Sequence, residues 1–137
     1  SSVSYTYEEP GPTYELVETL MSWDDAQSYC ASGGGYLATV DSSDVQNTLK
    51  GICFHSSWVH DGNDDCWVGL ENTGSQGNVS GTWAEGVAYS SSTYDLDSTG
   101  WFDTGKCLLL EAYWSNGTLE GDNCTKTRRS ICEYPPP

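Results

Sequence analysis

Positive charge is scarce in this 137-residue chain: five Lys and Arg stand against twenty Asp and Glu, a formal net charge of −15. A surface built from that balance lacks the cations needed to neutralise phosphates, which excludes DNA, RNA and anionic membrane surfaces as partners. It favours solubility and cation binding instead. Long apolar runs are missing too. Stretches such as Cys107-Leu108-Leu109-Leu110 are far short of the roughly twenty residues that a membrane-spanning helix needs. Methionine occurs once and phenylalanine twice, so six Trp and nine Tyr must supply the large core side chains. None of the six cysteines forms a C-x-x-C pair, and only His55 and His60 are there to complete a thiolate zinc site. Three disulfides therefore account for the count better than a metal centre does. Catalytic signatures are absent as well. Gly33-Gly34-Gly35 lacks the Lys and the helix of a phosphate loop. Neither His comes with a plausible Ser or Cys nucleophile, and no carboxylate pair has a recognisable catalytic setting, so no enzymatic activity is expected.

What is present fits one domain, since about 100–200 residues make a domain and a chain of this size buries about two-thirds of its unfolded surface. Three N-x-S/T sequons, at Asn78, Asn116 and Asn123, join the even cysteine count in pointing to an oxidising, secreted or cell-surface setting. Ser1-Ser2-Val3-Ser4 reads as the start of a processed chain, and residues 1–13 as a turn-rich lead-in. Tyr14 to Thr19 suits a strand. Ser22 with Asp25 three residues on predicts a helix start, Trp23, Ala26, Gln27 and Cys30 recur at helical spacing, and the three glycines end it. Tyr36 to Val40 reads as a strand, and Asp41-Ser42-Ser43 opens a second helix with Val45, Leu49 and Ile52 on one face. Trp67 to Leu70, a segment beginning at Gly81-Thr82-Trp83, Leu108 to Trp114 and Ser130 to Tyr134 are further strand candidates. Ala84 to Gly105 has neither period and reads as one long loop, while Pro135 to Pro137 is a stiff tail or the start of a linker. Two early helices followed by short strands, with no βαβ alternation, predict an α+β fold.

Several of these segments, in this order, resemble the C-type lectin-like domain. Tyr14, Leu16, Trp23, Ala26 and Cys30, then Gly35-Tyr36-Leu37-Ala38, are similar to its opening. Trp67-Val68-Gly69-Leu70 matches its Trp-Ile-Gly-Leu segment, and Trp83-Ala84-Glu85-Gly86 its Trp-x-Asp-Gly turn. Cys107, Asn116-Gly117, Cys124 and Ile131-Cys132-Glu133 resemble its C-terminal cysteine pattern. The resemblance covers residues 14–134. It implies two helices and two small antiparallel sheets with a long loop region, stapled by Cys30–Cys132 and Cys107–Cys124, and it leaves Cys53–Cys66 as an additional local bridge. With no extra cysteine pair before Tyr14, the chain resembles the short form of the domain. Trp23, Trp67, Trp83 and Trp114 fall in framework segments and are expected in the core.

The resemblance also implies a place to look for a calcium–sugar site, and there the sequence departs from the pattern. No proline lies between Gly86 and Cys107, so the long-loop Glu-Pro-Asn or Gln-Pro-Asp motif is missing. Lys106 precedes Cys107 where the family carries an acid, and Leu119-Glu120-Gly121 stands where Trp-Asn-Asp is expected. The usual calcium-dependent site is therefore not expected. Two acidic groups are candidates to replace it, with calcium as the candidate cofactor. Asp95, Asp97 and Asp103 lie in the long loop, within reach of Glu120 and Asp122, and Asp61, Asn63 and Asp65 have the alternating spacing of half a calcium loop. The alternative for both is a solvated acidic loop. His55 and His60 add a weaker transition-metal option. A cation-free route would use aromatics: Tyr94, Trp101 and Phe102, with Asp97 beside them, Tyr89 next to them and Trp58 in the Cys53–Cys66 loop. The expected function is extracellular recognition of a glycan or a protein through the long-loop surface. The alternative is an acidic structural or matrix glycoprotein, associated with calcium or mineral.

Overall fold

The serine that opens the first helix does so through its side chain: Ser22 Oγ accepts from the Asp25 backbone N–H at 3.2 Å, and two acids sit in the first turn. The computed structural model describes residues 11–54, 65–74, 79–89, 107–111 and 118–136. Along the chain these form β1 (Thr13–Met21), α1 (Trp23–Ser32), β2 (Tyr36–Leu37), α2 (Ser43–Phe54), β3 (Cys66–Glu71), β4 (Cys107–Glu111), β5 (Thr118–Asp122) and β6 (Arg128–Tyr134). α1 ends at Gly33, and Gly34 follows with φ +86°, a conformation that costs glycine least. Gly35 lets the chain pass directly over β6, since a Cβ there would meet the Glu133 carbonyl oxygen and the Tyr134 ring. Ser42 caps α2 as Ser22 caps α1, with Oγ accepting from Val45 N–H at 3.1 Å.

The two expected antiparallel groups are present and share one sheet. β1 and β2 pair antiparallel with β6, and β3, β4 and β5 pair antiparallel in sequence. A short parallel register, Cys66 opposite Arg129 and Trp67 opposite Ser130, joins the groups into the order β1-β6-β3-β4-β5. Successive residues of a strand point to opposite faces, and the core divides accordingly. Leu108, Leu110 and Leu119 join Val68, Leu70, Trp83, Leu49 and Cys53 on the α2 side. Cys107 and Leu109 join Trp67, Ala26 and Cys30 on the α1 side. Burial on both faces is why β4 reads as a continuous leucine run.

Two indoles lock the centre. Trp67 Nε1 donates to the Met21 carbonyl at 3.0 Å, and the half-buried Trp23 donates to the Val68 carbonyl at 2.8 Å. The bridges are Cys30–Cys132, Cys53–Cys66 and Cys107–Cys124, enclosing sequence separations of 102, 13 and 17 residues. Some elements differ from the sequence expectation. Only Tyr36 and Leu37 of the expected 36–40 strand pair as a ladder, although Ala38 and Val40 are fully buried. The segment at 81–83 makes isolated bridges, Leu70 to Trp83 and Thr82 to Ala88, rather than a strand. Gly86 at φ +104° turns the chain back on itself there, with Trp83 N–H bonded to the Val87 carbonyl at 2.8 Å. β5, which the sequence did not announce, pairs with β4 over all five of its residues.

Candidate functional site

Of the residues singled out in the sequence, Tyr94, Asp95, Asp97, Trp101, Phe102, Asp103, Asp61 and Asn63 lie outside the described residues, as do Trp58, Asn78, Trp114 and Asn116. Asp65, Tyr89 and Asn123 are described. Tyr89 packs half-buried against the α2-side core, so its ring serves the framework. Asn123 is exposed in the turn between β5 and β6. Asp65 is buried at the start of β3, with one carboxylate oxygen 3.9 Å from Arg128 Nε.

Asp65 belongs to a row of charges laid across the sheet. In the β4–β5 register Glu111 faces Thr118 and Leu109 faces Glu120, which sets Glu111 and Glu120 diagonally on one face, within reach of each other. Asp65 comes just before Cys66, which pairs with Leu110, so it continues the row toward Arg128 on β6. Glu111 is buried. Burial, then the charge and hydrogen bond of Glu111, then Asp65 and Asp122 push the Glu120 carboxyl up to about 7. On the basic side, Arg128 Nη2 donates to Asp122 Oδ2 at 3.3 Å, and Lys126 Nζ lies 3.2 Å from Asp122 Oδ1. The 3.9 Å separation of Arg128 Nε from Asp65 is that of an ion pair and is too long for a direct hydrogen bond. Within the row Glu120 is the carboxyl pushed up, Arg128 supplies a guanidinium, and Asp65 and Glu111 directly adjoin segments 55–64 and 112–117 in sequence.

A second acidic group sits across the sheet's other end. Glu133 is buried on β6 and accepts from Thr39 N–H at 3.1 Å, and Tyr36 OH donates to Glu85 Oε2 at 3.3 Å. Burial raises the Glu133 carboxyl, the Thr39 bond opposes this, and Glu85 and Asp41 raise it further. Burial and the same carboxylates push Tyr14 and Tyr36 up to about 12, so both phenols stay protonated. Tyr134 and Tyr29 both donate to Glu15, at 2.6 and 3.0 Å, which fastens β1, α1 and the end of β6 together. Among the described residues no group of three His, Cys, Asp or Glu side chains is placed to hold a metal ion. The sequence reading named Glu120, Asp122 and Asp65 but missed Glu111 beside them, and it missed the group around Glu133. The signal for the first was available: Glu111 follows Leu108-Leu109-Leu110, so a strand buried on both faces carries it inward.

A family model described as "Lectin C-type domain" matches residues 19–134. Among known proteins the chain is similar to "Snaclec agglucetin subunit alpha-1" of Deinagkistrodon acutus, with 26% identity over 125 residues, 90% of this chain and 75% of that one. Among solved structures it resembles "SPL-1 - GlcNAc complex" with a TM-score of 0.72 at 23% identity, covering 90% of this chain and 88% of that one. It also resembles "Ca2+-independent C-type lectin SPL-2 from Saxidomus purpuratus", with a TM-score of 0.71 at 22% identity, covering 90% and 86%. The two structural likenesses speak for the fold.

Proposed function

This chain belongs to the C-type lectin domain family, whose model matches residues 19–134, and from that premise we propose that it is an extracellular recognition module. It binds a glycan or a protein ligand through its long-loop surface and does so without the family's usual calcium-bridged sugar contact. The observation that carries this reading is the loss of the calcium motif itself. No proline lies between Gly86 and Cys107, Lys106 precedes Cys107 where an acid is expected, and Leu119-Glu120-Gly121 stands where the resemblance calls for Trp-Asn-Asp. A calcium ion needs about six to eight oxygens, and these replacements remove several of those the motif would supply. The calcium-independent lectin SPL-2 and the SPL-1 complex with GlcNAc, both similar in fold, make GlcNAc-terminated glycans the first ligand class to try. Three disulfides and three sequons support an oxidising, extracellular setting.

In this reading the long-loop aromatics Tyr94, Trp101 and Phe102 stack on the ligand, and Asp97 supplies a hydrogen-bond acceptor. The test is a glycan array and an extracellular-protein array, each read in calcium and in excess EDTA. Binding is expected to survive EDTA. Trp101→Ala and Tyr94→Ala are each expected to weaken it about tenfold or more while leaving the unfolding midpoint in place. Binding that EDTA abolishes would overturn the cation-free reading.

A further inference from the structure

Asn123 is the one sequon asparagine among the described residues, and its geometry is informative. Its Oδ1 accepts from the Thr125 backbone N–H at 3.0 Å and from Thr125 Oγ1 at 2.8 Å. The hydroxyl that defines an N-x-T sequon thus already lies on the amide it serves. The side chain is exposed, and Nδ2, the atom a glycan would join, has no hydrogen-bond partner among the described residues. The middle residue of this sequon is Cys124, and it is held from two sides. Its sulfur is bridged to Cys107 on β4, and its carbonyl accepts from Trp23 N–H at 3.0 Å at the start of α1. Asn123 itself is tied back through its own N–H to Asp122 Oδ1 at 2.8 Å.

We propose that Asn123 is an N-glycan acceptor that is modified only while the Cys107–Cys124 bridge is open, so that glycan transfer and bridge closure compete for one short segment. Transfer draws the acceptor peptide out of the fold into the transferring enzyme. Nδ2 then forms a bond to the anomeric carbon of a polyprenyl-diphosphate oligosaccharide. The carbon–oxygen bond to the diphosphate breaks, the diphosphate leaves with the electron pair, and an amide proton passes to a base of the enzyme. Bridge closure takes two protons and two electrons from Cys107 and Cys124 and gives them to a disulfide-exchange partner of the secretory compartment. Once the bridge has formed, the covalent link to β4 and the Trp23 bond keep residues 123–125 in their turn and out of reach. A glycan that arrives first is tolerated, because Asn123 faces solvent in the finished fold.

The test is peptide mapping by mass spectrometry of the chain secreted from a eukaryotic host. Asn123 is expected to carry glycan on a fraction of molecules, that fraction is expected to rise when dithiothreitol is present during synthesis, and Thr125→Ala is expected to abolish it with all three bridges intact. A complementary arm uses chain made in a host without N-glycosylation and offers it to purified oligosaccharyltransferase and lipid-linked donor. The oxidised folded chain is expected to stay unmodified at Asn123, and the reduced, alkylated chain to accept. Three results would overturn the proposal: an unmodified Asn123 even with reductant, an occupancy that reductant does not change, or a folded, bridged chain that accepts glycan.

Discussion

At the scale of single residues, the side chain with the largest consequence is Glu120. In the folded chain it keeps its proton up to about 7, against an ordinary value of 4.5. Between those values the folded state holds more protons than the unfolded one, so stability falls as pH rises through that window. The contribution is complete below about pH 4.5 and gone above about pH 7. Glu120→Gln is neutral at every pH and removes this residue's share of the slope, leaving that of Glu133. Its midpoint is expected to match that of the natural chain near about pH 4 and to lie a few degrees above it near about pH 8. A thermal unfolding series across that range checks this, and an unchanged slope in the variant would assign the pH dependence elsewhere. The three phenols pushed to about 12, Tyr14, Tyr36 and Tyr134, act in the same direction but only at strongly alkaline pH. They leave the window around neutrality to the carboxylates.

At the scale of elements, the three bridges do unequal work. Cys30–Cys132 joins α1 to β6 across 102 residues, and Cys53–Cys66 joins the end of α2 to the start of β3 across 13. Loop-closure entropy puts the first at about 4–5 kcal/mol and the second at about 3 kcal/mol. Arg129 Nη2 also donates to the Cys53 carbonyl at 2.8 Å, holding α2 against β6 without the sulfur. Cys53→Ala/Cys66→Ala is therefore expected to fold and to lose about 3 kcal/mol or less, and Cys30→Ala/Cys132→Ala to lose more, as chemical denaturation would measure. The reverse order would contradict this account. The same elements show what was legible beforehand. Ser22 and Gly33–Gly35 bounded α1 because capping is local chemistry, and Leu49 with Val45 and Ile52 gave α2 because its face repeats. β5 was illegible because Thr118-Leu119-Glu120-Gly121-Asp122 contains residues that strands disfavour. It exists because β4 offers a partner edge and Cys107–Cys124 closes the pair. The disulfide pairing itself came from the resemblance, since six cysteines alone allow fifteen arrangements.

At the scale of the whole molecule, the few positive charges are unevenly spread, and this bears on where a ligand can act. Three of the five basic residues, Lys126, Arg128 and Arg129, fall together near the β5–β6 turn, and their described partners are Asp122, Asp65 and the Cys53 carbonyl. The rest of the surface is left strongly negative. Self-repulsion of that kind is relieved by any added salt, so calcium raises the midpoint through ionic strength alone unless that strength is held constant. The candidate residues carried no periodic signal because residues 84–105 and 55–65 repeat neither helical nor strand spacing in sequence. That Glu111 lies beside Glu120, by contrast, became visible only once two strands were laid side by side. The decisive comparison is thermal unfolding in excess EDTA and in millimolar Ca2+ at matched ionic strength. Equal midpoints are expected, because the proline motif, the acid before Cys107 and the Trp-Asn-Asp segment that would supply calcium's oxygens are all missing. A higher midpoint in calcium would instead require a cation held by the folded state alone. Asp95, Asp97, Asp103, Asp61 and Asn63 would then be replaced in turn to find its ligands.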